Sequence, residues 1–469
     1  MPVSEITFGT DGWRGVIARE FTFANLRQVA QATADYFDTL PEGEKAVLIG
    51  FDVRFLSPQF AQAAAEVFAG NGFRVLLLDS VCPTPYVSFE VQRLGLRGGV
   101  VITASHNPSQ FNGFKVKAHY GGSATSEMTA RIEERLGRSE IKAGNEIETV
   151  NRSEQYFDHL RSLVDWTGIS RSGLTVCVDS MHGSGGTLLE QLLRDTTCDV
   201  QTIRGQPDPL FGGVSPEPMM PWLQPLSEAV TRTGAAVGLA TDGDADRLGV
   251  VAEDGRFVST LQVLPLLLLH AYRNRGWRGA VVHTFSQSQI IGRIASSLGL
   301  EVRETPIGFK HIAKLMLTEE ILIGGEESGG IGLSRHLPER DGLFLHLMIL
   351  DLLATSRQSV TALIRDMWAE FGEFHYERED LNLDMGASQR LTDELTERPP
   401  KSFAKRAVRE VRSLDGIKLI LEGDAWILFR RSGTEPVLRI YCEAPTVSAT
   451  SEILSAGIGF AEQFPVSGV

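Results

Sequence analysis

Short apolar runs alternate with amphipathic helical patterns along most of the chain. The run KAVLIGFDV (45–53) predicts a strand, SPQFAQAAAEVFAGNG (57–72) predicts a helix and FRVLLLD (73–79) predicts the next strand. In this helix, Ser57 is placed to cap the first turn and Gly70 lies near the end. The repeated strand–helix–strand order predicts the α/β class, with parallel sheets and helices on both faces.

Four apolar strands run directly into loops that are rich in charged, hydroxyl or glycine residues. These segments are GGVVITASHNP (98–108), AAVGLATDGDADR (235–247), ILIGGEESGG (321–330) and WILFRRSGTEP (426–436). In open α/β sheets, ligands bind beyond the carboxyl ends of the strands. We therefore expect four domains to bring one loop each to a shared cleft.

Length and charge limit the class of protein. At 469 residues the chain is too long for one core, so three or four domains of roughly 100 to 150 residues are expected. Forty-five Lys and Arg residues against 59 Asp and Glu residues give a net charge of -14, which argues against a nucleic acid or a membrane as partner. Changes in the pattern predict domains of residues 1–150, 151–256, 257–372 and 373–469.

The cysteines and the first residues bear on the compartment. Cys82, Cys177, Cys198 and Cys442 are far apart and form no C-x-x-C pair, which favours unpaired thiols in a reducing cytoplasm. The opening MPVSEITFGTDGW has acidic residues where a secretory signal has basic and then apolar ones. The most apolar stretch, LQVLPLLLLHAY (261–272), contains a proline and is too short to cross a bilayer, so it predicts a core helix.

Ser105 lies in the first of the four loops, within TASHNP. Pro108 disfavours helical geometry at Asn107 and the surrounding glycines favour a loop, so we expect Ser105 to be presented to solvent rather than to cap a helix. A serine hydroxyl is a weak nucleophile that needs a base or prior modification. The adjacent His106 is poorly placed for a triad and no G-x-S-x-G motif is present, so a phosphorylated serine is favoured over an esterase nucleophile.

Three aspartates alternate in the second loop, TDGDADR (241–247). In an extended chain, the side chains of Asp242, Asp244 and Asp246 project to one side and offer hard oxygen ligands to one cation, for which Mg²⁺ is the first candidate. A solvated acidic turn is the alternative interpretation. A calcium EF-hand is disfavoured, because its sixth position requires glycine and is Arg247 here.

The remaining two loops suit a phosphorylated sugar. In GGEESGG (324–330), Glu326 and Ser328 offer a carboxylate and a hydroxyl on a glycine frame, which suits sugar hydroxyls. Glu327 points away from Glu326 in an extended chain, which argues against a glycosidase pair. RRSGTEP (430–436) offers guanidinium groups, hydroxyls and backbone amides to a phosphate, with a charged surface turn as the alternative.

Taken together, these four loops and FGTDGWRG (8–15) closely resemble, in content and order, the signature of the α-D-phosphohexomutases, the phosphoglucomutase and phosphomannomutase superfamily. The resemblance runs from Phe8 to beyond Pro436. It implies a four-domain α/β architecture around a central cleft, with three related α/β domains and a smaller C-terminal α+β domain. It also implies that Ser105 is the phosphoserine.

The resemblance implies interconversion of hexose 1-phosphate and hexose 6-phosphate. Phospho-Ser105 donates to the free hydroxyl, a 1,6-bisphosphate turns over in the cleft, and Ser105 is rephosphorylated from the other end; glucose 1,6-bisphosphate is the expected activator. The implied ligands of Mg²⁺ are a Ser105 phosphate oxygen, Asp242, Asp244 and Asp246. The implied catalytic residues are Ser105, Lys115, Arg14, Arg247 and His106. Lys115 is the candidate for proton transfer, a role that needs a pKa lowered by nearby cations.

The resemblance also assigns substrate contacts. The implied sugar contacts are Glu326, Ser328, Gly308 and Lys310, and the implied phosphate contacts are Arg430, Ser432, Gly433 and Thr434. Some relatives carry a histidine in the third loop and another in the upstream loop TPIGFKHI (305–312), where this chain has Gly330 and Phe309. A histidine acid or base is therefore absent at both places. Arg431 stands where many relatives have proline and is given no role.

The motif GEES resembles that of the glucose-preferring branch, so glucose phosphate is the expected substrate. Mannose phosphate is the second candidate, because it differs at one hydroxyl and such a contact is often worth only about 1–3 kcal/mol. A phosphoglucosamine mutase is the alternative. Rivals from other classes are a phosphoserine phosphatase, which usually has histidine-rich paired metal ligands, and a sugar-phosphate sensor that has lost its nucleophile or metal. We expect only small hexose phosphates as partners, and a monomer or homodimer.

Overall fold

The structure is a computed structural model that describes residues 6–9, 11–151, 154–432 and 436–464. The chain divides into two units. The first contains the residues up to Ala280 together with Gly308–Leu363, and the second contains Val281–Ile307 together with the residues from Ile364 onward. The domain boundaries predicted near residues 150, 256 and 373 stay predictions, because a division into two units does not test a division into four domains.

A six-stranded sheet organises the amino-terminal part of the first unit. Its elements in chain order are β1 (Trp13–Val16), α1 (Phe23–Phe37), β2 (Glu44–Phe51), α2 (Ser57–Gly70), β3 (Arg74–Leu78), α3 (Thr84–Leu94), β4 (Leu96–Ile102), β5 (Phe111–Ala118), α4 (Ser126–Glu133) and β6 (Ile147–Val150). The strand order is β1-β5-β4-β2-β3-β6, in which β4, β2, β3 and β6 are parallel and β5 pairs antiparallel with both β4 and β1. The hairpin of β4 and β5 therefore carries the Ser105 loop.

Helix α2 follows the predicted range, but its first turn differs from the prediction. Leu56 is the N-cap residue, with a left-handed φ of 62°, and Ser57 is already helical. The prediction that Ser57 caps the helix is wrong, because its hydroxyl donates to Oδ1 of the buried Asp52 at 2.8 Å instead. The helix ends at Gly70, two residues before the end of the predicted range. A Cβ there would lie 2.5 Å from the backbone nitrogen of Ala143, so glycine permits this close approach.

A five-stranded sheet forms the next part of the first unit. Its elements are α5 (Gln155–Ser162), α6 (Trp166–Ser170), β7 (Thr175–Asp179), α7 (Leu188–Leu193), β8 (Asp199–Ile203), a 3₁₀ turn (Phe211–Gly213), α8 (Gln224–Thr233), β9 (Val237–Thr241), β10 (Leu248–Ala252) and β11 (Phe257–Val258). The order is β11-β10-β9-β7-β8, in which β9, β7 and β8 are parallel and β10 pairs antiparallel with both β9 and β11. The fully buried β9 ends where the three aspartates begin.

The chain then passes from the first unit to the second and back. The elements of this stretch are α9 (Thr260–Leu269), a π-helical turn (His270–Asn274), β12 (Ala280–Thr284), α10 (Ile290–Ser297), β13 (Val302–Thr305), α11 (Phe309–Thr318), β14 (Ile321–Gly325), β15 (Ile331–Leu333), α12 (Gly342–Ser356) and α13 (Val360–Phe371). Strands β12 and β13 are parallel, and β14 and β15 form an antiparallel hairpin. Helix α9 is buried along most of its length, which confirms the predicted core helix.

The carboxyl-terminal part of the second unit is an antiparallel sheet. Its elements are β16 (His375–Asn382), α14 (Met385–Glu397), β17 (Ser402–Phe403), β18 (Arg406–Arg412), β19 (Ile417–Leu421), β20 (Ala425–Arg431), β21 (Val437–Ala444) and α15 (Val447–Ala461). The order is β16-β21-β20-β19-β18-β17. Phe285, from the earlier segment of this unit, packs in a buried cluster with Trp426, Leu428 and Tyr441. The Lys418 ammonium donates to its carbonyl at 2.9 Å.

The architecture confirms the predicted α/β class with a carboxyl-terminal α+β part. The first two sheets are mixed rather than wholly parallel, because short hairpins add antiparallel strands whereas a parallel neighbour needs a long crossover. Among the residues that the structure describes, no single helix is long and apolar enough to cross a membrane. Helices α12 and α13 reach that length and composition only when they are counted together.

Candidate functional site

Ser105 lies in the loop between β4 and β5, against the loop that follows β9. Its hydroxyl donates to Oδ2 of Asp242 at 2.7 Å, and its backbone N–H donates to the hydroxyl of Thr103 at 2.9 Å. Its φ of 52° is left-handed, which is uncommon for a residue with a side chain. Ser105 is only 1% exposed, so the prediction that it is presented to solvent is wrong. The loop from the second sheet covers it.

Glycine permits the close packing of these two loops. A Cβ at Gly243 would lie 2.4 Å from the carbonyl oxygen of Ser105, so no side chain fits between the loops there. This approach brings Asp242 within hydrogen-bond distance of the serine. The predicted glycine-rich loop around Ser105 is only partly correct, because Gly98 and Gly99 lie within β4.

The three aspartates converge as predicted, but on a turn rather than on an extended segment. Ala245 has a left-handed φ of 58°, and Oδ1 of Asp242 accepts the backbone N–H groups of Asp246 and Arg247 at 3.0 and 3.1 Å. The three carboxylates each have an oxygen within 4.8 Å of the others, and all three residues are buried. A solvated acidic turn is therefore excluded.

The carboxylate oxygens fit a hard divalent cation. Oδ1 of Asp244 and Oδ1 of Asp246 are buried and have no hydrogen-bond partner among the described residues. Burial, together with the charges of Asp246 and Asp244, raises the pKa of Asp242 well above its usual value. A bound cation would relieve that repulsion and take the unpaired oxygens as ligands, and carboxylate oxygens are what Mg²⁺ prefers.

Lys115 extends from β5 into the same acidic cluster. Its ammonium nitrogen lies 2.6 Å from an oxygen of Asp11, 2.8 Å from Asp244 and 3.0 Å from Asp246. Burial alone would lower the pKa of Lys115, but these carboxylates outweigh it and hold the pKa well above its usual value. The expectation that nearby cations lower this pKa is wrong, because the groups within contact distance are anions.

Arg14, His106 and Arg247 lie around the same cluster. Arg14 donates to the side-chain oxygen of Asn107. The Nδ1 atom of His106 is 3.4 Å from the Ser105 hydroxyl, which is too long for a strong hydrogen bond. Burial lowers the pKa of His106 well below its usual value, and the charges of Arg247 and Arg14 lower it further. The imidazole is therefore neutral near pH 7.

Several charged residues of the site carry no motif and were missed by sequence reasoning. Arg340 donates to Oδ2 of Asp246 at 2.7 Å and to Oδ2 of Asp11 at 2.9 Å. Beside them, the Lys117 ammonium lies 2.6 Å from an oxygen of Glu339. The available signal was the charged segment PERDG at the start of α12, whose residues from Gly342 to Leu353 are buried, because charged side chains that are buried are almost always paired.

Glu326 is the buried carboxylate of the third loop. It is 6% exposed, and burial raises its pKa to about 7 while Arg340 and the backbone N–H of Gly308 act against the shift. Ser328 is exposed and its carbonyl accepts from Arg247 at 3.4 Å. Lys310 is half-buried in the first turn of α11. The four implied sugar contacts thus lie on two adjacent segments of the first unit.

Arg340 lies beside both places where some relatives carry histidine. A Cβ at Gly330 would lie 2.7 Å from Cδ of Arg340, so a side chain at that position would displace it. The guanidinium carbon of Arg340 lies 5.4 Å from the centre of the Phe309 ring. Arginine and phenylalanine therefore fill the space beside Glu326.

The fourth loop belongs to the second unit. Nε of Arg430 donates to Oδ1 of Asp415 at 3.0 Å, and the other oxygen of Asp415 accepts the backbone N–H of Ile307 at 2.8 Å. Ser432 is buried, and its backbone N–H donates to the carbonyl of Val437. The two remaining predicted contacts, Gly433 and Thr434, lie outside the described residues.

Family models match most of the chain. Residues 5–142, 154–255 and 261–371 match the phosphoglucomutase/phosphomannomutase alpha/beta/alpha domains I, II and III. Residues 391–456 match the C-terminal domain of the same family. The four models follow one another in the order of the four loops described above.

Relatives match over nearly the whole length. A phosphoglucomutase/phosphomannomutase of Thermococcus kodakarensis is 30% identical over 97% of this chain and 98% of its own length. A probable phosphoglucosamine mutase of Methanobrevibacter smithii is 29% identical over 93% of this chain and 94% of its own. Among solved structures, a putative phosphomannomutase from Thermus thermophilus matches with a TM-score of 0.87 and 36% identity over 97% of this chain and 99% of its own.

Proposed function

The chain belongs to the phosphoglucomutase/phosphomannomutase family of mutases, and from this premise we propose that it interconverts hexose 1-phosphate and hexose 6-phosphate through a phosphorylated Ser105. The observation that carries the proposal is the contact between the Ser105 hydroxyl and Asp242, one of three buried carboxylates that converge within 4.8 Å. A phosphoryl group on this hydroxyl would lie directly beside the cation ligands.

The residues around Ser105 have distinct tasks in the proposed cycle. Mg²⁺ on Asp242, Asp244 and Asp246 would neutralise charge on the transferring phosphoryl group. Arg14 and Arg247, whose charges both act on the adjacent His106, supply further positive charge near the serine. His106 is neutral because of its lowered pKa and adds no charge. The positive charge that stabilises the phosphoryl group would therefore come from the metal and the two arginines.

The transfer itself is a balanced exchange between Ser105 and the sugar. The phosphorus–oxygen bond to Ser105 breaks as the free hydroxyl of the hexose monophosphate attacks; that hydroxyl gives its proton to a base in the site, and the Ser105 oxygen takes up one proton as it leaves. The product is a hexose 1,6-bisphosphate and unmodified Ser105. After the bisphosphate turns around, its other phosphoryl group returns to Ser105 and leaves the isomeric monophosphate. Added glucose 1,6-bisphosphate would phosphorylate any unmodified enzyme.

A group other than Lys115 is proposed to accept the proton of the sugar hydroxyl. The pKa of Lys115 is held well above its usual value by Asp11, Asp244 and Asp246 against the effect of burial, so at neutral pH it stays charged. Lys115 instead balances the carboxylates that hold the metal. Glu326, whose buried carboxyl has a pKa of about 7, is the candidate that matches neutral pH, and it also fits a sugar hydroxyl.

Glucose phosphate is the first substrate that we propose, with mannose phosphate second. The motif GEES with Glu326 and Ser328 supports it. Phosphoglucosamine is the alternative, and it is supported by the names of several relatives, among them a phosphoglucosamine/phosphogalactosamine mutase of Sulfurisphaera tokodaii, 29% identical over 96% of this chain. Arg430, Ser432, Gly433 and Thr434 are proposed to hold the phosphate that is not transferred.

A direct comparison of substrates tests the function. The purified protein is assayed with the 1-phosphates of glucose, mannose and glucosamine, each with Mg²⁺ and a trace of its own bisphosphate. We expect mutase turnover with glucose fastest. Dominant turnover of glucosamine phosphate would overturn the substrate choice and leave the mutase proposal intact. Release of inorganic phosphate without isomerisation would support a phosphatase, and binding without turnover a sensor.

The other expectations from the sequence remain proposals. The four cysteines, all of which are described, are unpaired, which supports a reducing cytoplasm. The acidic net charge of -14 supports small anionic substrates in locally basic surroundings rather than nucleic acid or membrane partners. The proposed assembly is a monomer or a homodimer.

A further inference from the structure

Arg54 lies directly under the loop that carries Ser105 and has no part in the mechanism described so far. Its side chain is fully buried. All of its guanidinium nitrogens donate within the protein, and four of the acceptors are backbone carbonyls of this one loop. These carbonyls belong to Ser105 and Asn107, both at 2.6 Å, Pro108 at 2.8 Å and Phe111 at 2.9 Å. One cation therefore holds the loop from its beginning to its end.

Two further contacts fix the guanidinium itself. Nε donates to Oδ2 of the buried Asp52 at 3.0 Å, and Asp52 also accepts the backbone N–H of Arg54 at 2.9 Å. The Phe211 ring lies over the guanidinium, with 4.8 Å between the ring centre and the guanidinium carbon. Asp52 and Arg54 directly follow β2 of the first sheet, and Phe211 lies in the 3₁₀ turn after β8 of the second sheet, so both sides of the site determine where this cation lies.

This arrangement maintains a backbone that would not be stable by itself. Four carbonyl oxygens that converge in a buried space repel one another and need donors. Ser105 also has its left-handed φ of 52°, which a residue with a side chain keeps only when its surroundings impose it. A guanidinium suits this task because it is planar, always charged and offers five donors in fixed directions, whereas lysine offers a single point of charge.

We infer that Arg54 is a positioning residue that holds the Ser105 loop so that the serine oxygen faces the three metal-binding carboxylates. Arg54 does not touch the reacting atoms and acts only through the loop carbonyls. The inference rests on the proposed function of Ser105 as the phosphoryl carrier. Loss of the guanidinium should therefore slow phosphoryl transfer and leave the binding of the sugar phosphate nearly unchanged.

The test compares Arg54→Lys with wild type and with Arg204→Lys. Arg204, which directly follows β8, is a matched control, because its side chain also pairs with a buried aspartate, Asp179, and also donates to a backbone carbonyl, but that carbonyl belongs to Trp222 and not to the Ser105 loop. Each protein is phosphorylated with glucose 1,6-bisphosphate and then mixed with glucose 1-phosphate. Intact mass after rapid quenching gives the single-turnover rate, and calorimetry gives the dissociation constant of glucose 6-phosphate.

We expect Arg54→Lys to lower the single-turnover rate by about 100-fold, the size of effect that a displacement of the reacting oxygen of about 1 Å produces. Its dissociation constant should stay within about threefold of wild type, and Arg204→Lys should keep the wild-type rate. A wild-type rate in Arg54→Lys would overturn the inference. An equal loss of rate in both variants would also overturn it, since that result reports general destabilisation.

A second variant decides the case if Arg54→Lys is recovered unfolded. Asp52→Asn keeps the shape of the acceptor but removes the charge that orients the guanidinium, and it should lower the single-turnover rate at least about tenfold with unchanged sugar binding. A wild-type rate in Asp52→Asn would then overturn the inference. If the proposed function itself is wrong, the result is distinguishable, because the wild-type protein would then carry no transferable phosphate on Ser105.

Discussion

The Ser105 hydroxyl donates a 2.7 Å hydrogen bond to Oδ2 of Asp242, a residue 137 positions later in the sequence. In the unphosphorylated chain, this bond joins the serine to a carboxylate whose pKa is raised well above its usual value by burial and by Asp246 and Asp244. Phosphorylation of Ser105 replaces the donor with an anion beside three acids. The phosphorylated form therefore depends on a bound cation far more than the unmodified form does.

Ser105→Ala should abolish steady mutase turnover and leave the protein folded. The variant leaves Oδ2 of the buried Asp242 without this donor, so the free energy of unfolding should fall by about 1–3 kcal/mol. Intact-mass measurement after incubation with glucose 1,6-bisphosphate should show one added phosphate on wild type and none on the variant. An active wild type that never carries phosphate would contradict the covalent mechanism.

Asp244→Asn should weaken Mg²⁺ binding and lower turnover by orders of magnitude. One of the three anionic ligands becomes neutral, and hard cations bind amide oxygen less strongly than carboxylate oxygen. The measurement is turnover against Mg²⁺ concentration after treatment with a chelator. Asp254→Asn, on an exposed aspartate outside the site, is the matched control and should follow the wild-type curve. Normal activity of the chelated wild type would refute the metal assignment.

Lys115→Met should destabilise the folded chain by about 3–5 kcal/mol, because Asp11, Asp244 and Asp246 would keep their charges without the buried ammonium. Urea unfolding in the absence of Mg²⁺ gives this value. Lys45→Met is the control, since the pair of Lys45 with Asp38 is partly exposed and should contribute less than about 1 kcal/mol. A loss in Lys115→Met as small as in the control would mean that the ammonium does not balance these acids.

Glu326→Gln should change the dependence of stability on pH. Burial raises the pKa of Glu326 from 4.5 to about 7, so the folded chain favours the protonated carboxyl. Its contribution to stability is present below pH 4.5 and is lost as the pH rises to about 7. Glutamine mimics the neutral form, so the variant should match wild type near pH 4.5 and exceed it above pH 7 by up to about 3 kcal/mol.

Urea unfolding of both proteins at these two pH values measures the difference. The adjacent half-buried Glu327, changed to Gln, is the matched control for the loss of a negative charge in this loop. An equal gain in both variants would show that the loop charge, and not the buried carboxyl of Glu326, is responsible.

Arg430→Ala should weaken hexose phosphate binding by a few kcal/mol and raise the concentration of bisphosphate needed for steady turnover. A guanidinium binds a phosphate through two hydrogen bonds and a charge, so without it the bisphosphate escapes before its second transfer. The first transfer from phospho-Ser105 should suffer less than the full cycle. Arg431→Ala is the control on the adjacent exposed arginine. Unchanged affinity and bisphosphate demand in Arg430→Ala would leave this loop as a charged surface turn.

The sequence predicted the parts of the site that lie in short motifs. Ser105, Asp242, Asp244 and Asp246 follow buried strands, and the order of apolar strand and polar loop locates each of them. The burial of Ser105 was not predictable in this way, because the residues that cover it come from a different sheet. The convergence of the three aspartates was predicted correctly, but from the wrong backbone conformation. A turn at Ala245 brings their carboxylates together, and not an extended chain.

Residues that act through long-range contacts were out of reach for pattern analysis. Arg340 meets Asp11 across 329 positions, and nothing in the local sequence of either residue indicates the other. The direction in which the pKa of Lys115 shifts was unpredictable for the same reason, because it depends on long-range contacts. Basic residues of the recognised motifs suggested cations around it, while the contacting carboxylate of Asp11 comes from the first loop of the chain.

The division of the second unit into two distant segments has a consequence for synthesis. Phe285 is fully buried by residues that include Trp426, and the Lys418 contact with its carbonyl spans 133 positions. At about 5–20 residues per second, a ribosome needs roughly 7 to 27 seconds to cover that distance. For most of this time the segment Val281–Ile307 is complete but lacks the rest of its core. A nascent chain that has not yet reached Trp426 therefore exposes to chaperones and proteases an aromatic side chain that is buried in the finished protein.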